Sequence, residues 1–330
     1  MKQFYQVLVN TLIANVTTSY LWFALVFWIY LETKSVLATG IVGGAYMMLV
    51  AVCSLFFGTI VDHNKKKNVM VVASVVTSIF YVLAGIGFVL HTESQLTSLT
   101  SWPFYLLAGL ILVGSVVENM RNIALSTIVT LLVPKDKRAQ ANGMVGTVQG
   151  IAFMVTSVFS GLSIGMLGMG WTLAIAVTLT VVAMVHVFFV RIPENDIYHD
   201  PEITKKRIDV AGSLAAIKQV PGLGALIAFA TFNNFVGGVF MALMDPYGLT
   251  LFSVEWWGVV LGVTSTGFII GGMLVARFGL GGRPVHTMLL ANVGVAAVGL
   301  VFALREWWWL YAAGIFVYMT LFPVVEAAEQ

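Results

Sequence analysis

The sequence predicts an all-α, polytopic membrane helical bundle, and three observations carry that prediction. The chain has 330 residues, of which 59% are hydrophobic and only 10% are charged. A soluble domain carries about 25% charged residues. Apolar runs long enough to cross a hydrocarbon core of about 30 Å, which takes about 20 residues, recur along the whole chain. The basic residues concentrate at alternate junctions between those runs. Helices are the expected spanning element, because each satisfies its own backbone hydrogen bonds in lipid.

Ten segments meet the length requirement: 6–31, 36–61, 68–90, 103–132, 141–167, 170–190, 222–245, 256–277, 285–304 and 308–329. The first apolar run, Val7 to Leu31, exceeds the roughly 7–15 apolar residues of a cleaved leader, and no small-x-small cleavage site follows it. It reads as a transmembrane helix. With the N-terminus placed in the cytoplasm, fourteen of the 17 Lys and Arg residues fall inside: Lys2, Lys65, Lys66, Lys67, Lys135, Lys137, Arg138, Arg191, Lys205, Lys206, Arg207, Lys218, Arg277 and Arg283. Lys34 and Arg305 fall outside, and Arg121 lies within a helix. That asymmetry follows the positive-inside rule. Trp28, Trp102, Trp171, Trp256, Trp257, Trp307, Trp308 and Trp309 sit at predicted outer ends and read as an aromatic belt, with Trp22 deeper. A multi-pass cell-membrane protein with a cytoplasmic N-terminus is the expectation.

The longest polar stretch runs from Arg191 to about Val220 and holds Pro193 and Pro201. It divides the chain into a six-helix bundle at 1–190, a cytoplasmic linker at 191–220 and a partial four-helix bundle at 221–330. Such a layout suits a transporter built from parallel repeats. A full second repeat would have six helices, so the chain reads as ending two helices short.

The net charge of +2 gives no reason to expect a nucleic-acid partner. The single cysteine, Cys53, allows no disulfide within the chain and no Cys-based metal site, and reads as a small buried apolar residue. The sequence has no Ser-His-Asp set, P-loop or metal cluster, so neither an enzyme nor a cofactor is expected. His63, His91, His186, His199 and His286 are scattered, mostly at predicted loops and helix ends.

The charged break between the second and third segments reads Gly58-x-x-x-Asp62-x-x-Lys65-Lys66-Lys67. Gly58 allows close helix approach. Asp62 sits where the second helix meets the cytoplasm. Lys66 and Lys67 can pair with acidic groups or anionic lipid, or serve only to set topology. This loop resembles the signature of the major facilitator superfamily, in the form familiar from its macrolide and multidrug efflux branch, with His63 in place of the usual first basic residue and Lys65 in place of the second Gly. A degenerate echo, Gly272-x-x-x-Ala276-Arg277-x-Gly279, stands between helices eight and nine. The resemblance implies a major-facilitator-type bundle with about ten of its twelve transmembrane helices present, sited in a bacterial inner membrane. It also implies that the loop, through Gly58, Asp62, Lys66 and Lys67, biases the exchange between inward- and outward-facing states.

Glu118 and Arg121 lie three apart on the fourth helix and can pair. Charge at membrane depth is costly, about 2.5 kcal/mol or more for Arg, and marks functional candidates. The family resemblance implies that a fourth-helix arginine assists proton transfer. Glu118 and Arg121 are therefore proton-coupling candidates, with a static packing pair as the alternative. Glu326, which shares a face with Glu329 at the end of the tenth helix, is a third candidate, with an interfacial residue as its alternative. Asp245 before Pro246 and Glu32 before Lys34 read as interfacial groups at outer ends. The fifth helix carries Gly143, Gly146, Gly150, Ser157, Ser160, Gly161 and Gly165, a small-residue face for close packing. It lacks the proline of the antiporter pattern, which keeps uptake or facilitated diffusion open.

Transporter sites lie near the midplane between repeats. Asn15 on helix one and Asn233 and Asn234 on helix seven occupy matching depths there. With Trp22, Gln149 and Phe232 they form the expected substrate cavity, an aromatic and polar lining for a large apolar compound. The expected activity is proton-coupled export of hydrophobic or amphipathic, drug- or macrolide-like compounds by alternating access. A small-molecule substrate, protons and the bilayer are the partners of a monomer. Solute uptake by the same fold, or a non-transporting truncated relative, are the other readings.

Overall fold

A computed structural model of the chain describes residues 2–134, 138–190, 192, 219, 222–278, 284–304 and 306–329. The described residues form eleven α-helices and no strand. They are α1 (Lys2–Thr33), α2 (Val36–His63), α3 (Lys66–Leu90), α4 (Glu93–Thr97), α5 (Trp102–Leu132), α6 (Arg138–Phe189), α7 (Leu223–Leu251), α8 (Val254–Thr264), α9 (Thr266–Phe278), α10 (Pro284–Leu304) and α11 (Trp308–Glu329). Seven stretches among the described residues are long and apolar enough to cross a membrane, one of them running across α8 and α9, and Phe235–Leu251 and His286–Leu300 are shorter apolar helices. The protein is a multi-pass membrane bundle. The linker expected at 191–220 lies outside the described residues, apart from positions 192 and 219.

Two boundaries differ from the sequence reading, and one holds: the fifth and sixth segments are two helices that meet within α6, whose apolar stretch Val148–Phe189 is 42 residues long. It breaks direction at Gly168, whose φ of 76° is open to glycine without a Cβ penalty. The helix expected to stop at 245 runs on through Pro246 to Leu251. Proline removes one rung of the helix ladder. Packing holds the continuation: the Trp257 ring lies over Gly248, and the Tyr311 hydroxyl donates to the Met244 carbonyl at 2.8 Å. The expected 256–277 helix is interrupted at Ser265, where the Thr264 hydroxyl donates to the Val260 carbonyl and the Ser265 hydroxyl to the Gly262 carbonyl. Such back-bonding commonly bends helices.

α1 occupies the centre of the bundle. Its stretch from Phe23 to Tyr30 is buried all round, as a core helix must be. It packs most extensively on α6. There the Ser160 hydroxyl donates to the Tyr20 carbonyl at 2.8 Å, and the Tyr20 hydroxyl donates to Ser163 Oγ at 2.7 Å. The turn into α2 is tight: Lys34 takes a left-handed φ of 52°, and Ser35 Oγ caps the Ala38 N–H at 3.1 Å.

The first part of α6 meets α8 across glycines. A Cβ added at Gly161 would fall 2.5 Å from the Val254 carbonyl oxygen and 3.0 Å from Gly258 Cα. One added at Gly258 would fall 2.5 Å from the Ser157 carbonyl oxygen. Gly262 and Gly165 continue the contact, against Val158 and the Glu255 side chain respectively. The small-residue face read on the fifth helix therefore packs against a helix of the second half. Gly143 and Gly146 lie in α6, with surroundings outside the described residues.

Two tryptophans depart from the expected belt. Trp28 is buried, and Trp257 is fully buried, stacked on Tyr311 with centroids 5.7 Å apart. Aromatic partners hold Trp257 inside, and Trp28 is buried in the same apolar core. Trp102, Trp171, Trp256, Trp307, Trp308 and Trp309 remain exposed.

Gly161→Val and Gly258→Val should each cost about 1–3 kcal/mol through overpacking, because the atoms they strike are backbone. The thermal midpoint in detergent, followed by tryptophan fluorescence, checks this. Gly43→Ala on α2, where an added Cβ meets nothing within 4 Å, should leave the midpoint unmoved.

Candidate functional site

Glu118 and Arg121 lie one helical turn apart on α5, and both side chains are buried. Arg121 Nε contacts Glu118 Oε1 at 2.8 Å. The rest of the guanidinium reaches two other helices. One terminal nitrogen donates to Ser74 Oγ on α3 at 2.6 Å, and the other donates to Asn10 Oδ1 on α1. Asn10, fully buried, in turn places its amide nitrogen 2.9 Å from the Ala183 carbonyl and 3.0 Å from His186 Nδ1, both on α6. Four helices therefore converge on one charge pair.

Local packing lets Ser74 reach the guanidinium. A Cβ added at Gly114 on α5 would fall 2.6 Å from the Tyr81 ring on α3. The Thr77 hydroxyl donates to the Gly114 carbonyl at 3.0 Å, and Tyr81 and Ser115 share a hydrogen bond of 2.9 Å. Glu118 Oε2 is buried with no hydrogen-bond partner among the described residues. A lone carboxylate oxygen held in this way is an acceptor open to a proton.

A second buried carboxylate corrects the sequence reading. Asp245 is not interfacial: it is 7% exposed and accepts from Trp257 Nε1 at 3.0 Å. Continuation of α7 through Pro246 places it inside the helix, and the inward turn of Trp257 covers it. The pattern of a Trp pair following a Ser offered no sign of which ring turns inward. No group of three or more candidate metal ligands occurs among the described residues.

The loop residues sit at the junction of α2 and α3. Gly58 is half-buried, and Asp62 is exposed. Lys66 is buried, with Nζ on the Asn64 carbonyl at 3.2 Å. Lys67 Nζ donates to the Phe188 carbonyl, near the end of α6, at 2.8 Å. In the echo, Gly272 and Arg277 are exposed, and Gly279 lies outside the described residues.

Of the expected cavity residues, Asn15 is half-buried, and Trp22 stacks on Tyr46 of α2 with centroids 4.5 Å apart. Gln149 and Phe232 are exposed. The side chains of Asn233, Asn234 and Glu326 lie outside the described residues, although their helix positions are within α7 and α11. The structure brings together a series of aromatic rings. Phe23 of α1 meets Phe153 of α6 at 5.0 Å, Phe153 meets Phe268 of α9 at 5.8 Å, and Phe268 meets Phe322 of α11 at 5.9 Å. Tyr318 continues the series to Phe240 of α7 at 4.4 Å. The chain has 22 phenylalanines, so spacing alone could not pick these out.

The model of the Major Facilitator Superfamily matches residues 7–328. The chain belongs to the Major Facilitator Superfamily. This superfamily protein is similar to a macrolide efflux protein A of Streptococcus pyogenes, with 24% identity over 284 residues that cover 84% of this chain and 67% of the relative. It is similar to a macrolide efflux protein A of Enterococcus faecalis, with 25% identity over 229 residues that cover 67% of each chain. A D-xylose-proton symporter shares the fold at a TM-score of 0.67 and 12% identity, covering 97% of this chain and 80% of the symporter. A bacterial homologue of the lysosomal transporter Spinster, in an inward-facing, unoccupied state, shares it at 0.63 and 18%, covering 98% and 75%. The superfamily fold makes the protein a membrane transporter.

Arg121→Leu leaves Glu118 buried without its partner, and should cost about 3–5 kcal/mol. Glu118→Gln combined with Arg121→Leu should recover part of that loss. Trp257→Phe strips Asp245 of its donor at a cost of about 1–3 kcal/mol. Chemical or thermal denaturation in detergent, compared across the variants, reads each value.

Proposed function

We propose that the protein exports hydrophobic or amphipathic compounds of the macrolide class by proton-coupled alternating access. The observation that carries this reading is the sealed Glu118–Arg121 pair with one carboxylate oxygen left open. A proton from water on one side of the membrane adds to a lone pair of Glu118 Oε2. The carboxylate becomes a neutral acid, and Arg121 keeps Ser74 and Asn10 as its partners. The site's net charge rises by one, which shifts the balance between the two transporter states. Loss of the proton to the opposite side resets the site while substrate moves the other way. Glu326, at the end of α11, is proposed as a further proton-coupling group.

Substrate would bind between the two helical units at 1–190 and 221–330, joined by the linker at 191–220. The proposed lining is Asn15, Trp22, Gln149, Phe232, Asn233 and Asn234, together with the aromatic series from Phe23 to Phe322. A stacked and edge-to-face aromatic surface suits a bulky apolar compound. Gly58, Asp62, Lys66 and Lys67 would bias the inward–outward equilibrium. The N-terminus would face the cytoplasm, the chain would act as a monomer in the cell membrane, and export would confer resistance. The similarity to macrolide efflux proteins supports the substrate class.

The test uses radiolabelled erythromycin as the probe. Expression should lower its accumulation in whole cells, and raised accumulation would assign uptake instead. In proteoliposomes, Glu118→Gln should reduce probe-driven proton flux by about tenfold or more. Undiminished flux removes Glu118 from the proton path.

A further inference from the structure

Asn10 is fully buried, and its amide faces two different partners. Its oxygen lies on the Arg121 guanidinium, which only donates, so the orientation of the amide is fixed. Its nitrogen therefore faces His186 Nδ1 at 3.0 Å and the Ala183 carbonyl at 2.9 Å. An amide nitrogen also only donates, so His186 Nδ1 must accept. The ring then carries its single proton on Nε2 and is neutral. His186 is half-buried and, with Tyr5, Gln6 and Val9, lines an open cleft of about 480 Å³ between α1 and α6. A continuous chain of side chains, Glu118–Arg121–Asn10–His186, runs from the buried pair to that cleft.

We propose that Asn10 is a two-position latch between Arg121 and His186, and that His186 is the positioning residue which throws it. A proton entering from the cleft takes the Nδ1 lone pair that now accepts from Asn10. Both ring nitrogens are then donors, and two N–H groups face each other. The amide must turn its oxygen to His186, which removes it from Arg121 and takes its nitrogen off the Ala183 carbonyl. Coupling of this kind is reciprocal: whatever draws Arg121 away from Asn10 frees the oxygen for a protonated His186.

The charged and titratable side chains on the elements packed against this end of α6 are Tyr5 of α1, Lys66 and Lys67 of α3, and Glu118 and Arg121 of α5, among the described residues. Lys67 Nζ is committed to the Phe188 carbonyl. Glu255 of α8 meets α6 elsewhere, beside Gly165. His186 is the group in this set that both contacts Asn10 and borders the cleft.

The mechanistic use of the latch rests on the proton-coupling reading of Glu118, but its existence does not. The test therefore needs no substrate. The unfolding midpoint of the full chain in detergent is followed between about pH 7.5 and about pH 5.5, the range in which histidine changes charge. Wild type should lose stability on acidification. The loss should be smaller by about 3 °C in His186→Gln, which keeps an amide opposite Asn10 but cannot titrate in this range. Asn10→Ala should flatten the profile similarly, and the double variant should flatten it no further. A His186→Gln profile superimposable on wild type overturns the proposal. So does a full wild-type response in Asn10→Ala. If either variant fails to fold, Asn10→Ser and His186→Asn give the same comparison. In proteoliposomes, the pH profile of erythromycin transport, normalised to each variant's own maximum, should lose its acid limb in His186→Gln, and an unchanged limb counts against the latch. Undiminished proton flux in Glu118→Gln would overturn the coupling reading while leaving the latch result intact.

Discussion

The bundle depends on a backbone-to-backbone crossing between α6 and α8. Helices in lipid gain little from burying apolar surface against each other, since the tails are as apolar as the side chains. What holds them is close contact, and Gly161 opposite Gly258 permits a close backbone approach. The rest of the interior is arranged around this seam. α1 lies alongside α6, bonded to it through Tyr20, Ser160 and Ser163. Phe153, one face further along α6, starts the aromatic series that reaches α9 and α11. The two parts of the chain also meet where α7 packs on α1 and α2.

Charge is handled differently in the two parts. In the first, Glu118 and Arg121 neutralise each other, and two neighbouring helices, α1 and α3, supply the remaining hydrogen bonds, except at Glu118 Oε2. In the second, Asp245 has an indole N–H as its donor and is enclosed by aromatic rings. The first arrangement specifies geometry tightly, because a guanidinium fork accepts few alternatives. The second specifies burial more than geometry.

Much of the architecture was legible in the sequence. Apolar run length fixed the helix positions, because the bilayer sets a length that no soluble fold demands. The Glu118–Arg121 pair was legible because charge at that depth has few explanations. Less legible was anything set by which way a side chain turns. Trp28 and Trp257 looked like belt residues by position, yet interior partners claimed them. Asp245 looked like a helix end because Pro246 followed it, yet a proline costs one rung and packing carried the helix on. Asn10 and His186 stand on helices α1 and α6, 176 positions apart in the chain, and no local pattern could join them.

The hydrogen bond from Lys67 to the Phe188 carbonyl changes what the charged loop is. The last carbonyls of a helix have no partner within it and carry its negative end. Lys67 supplies both a donor and a positive charge to the closing turn of α6, from the first turn of α3, 121 residues earlier. The junction of α2 and α3 thus supplies a cap for a distant helix. It ties the first turn of α3 to the last turn of α6, so the two helix ends are held as one.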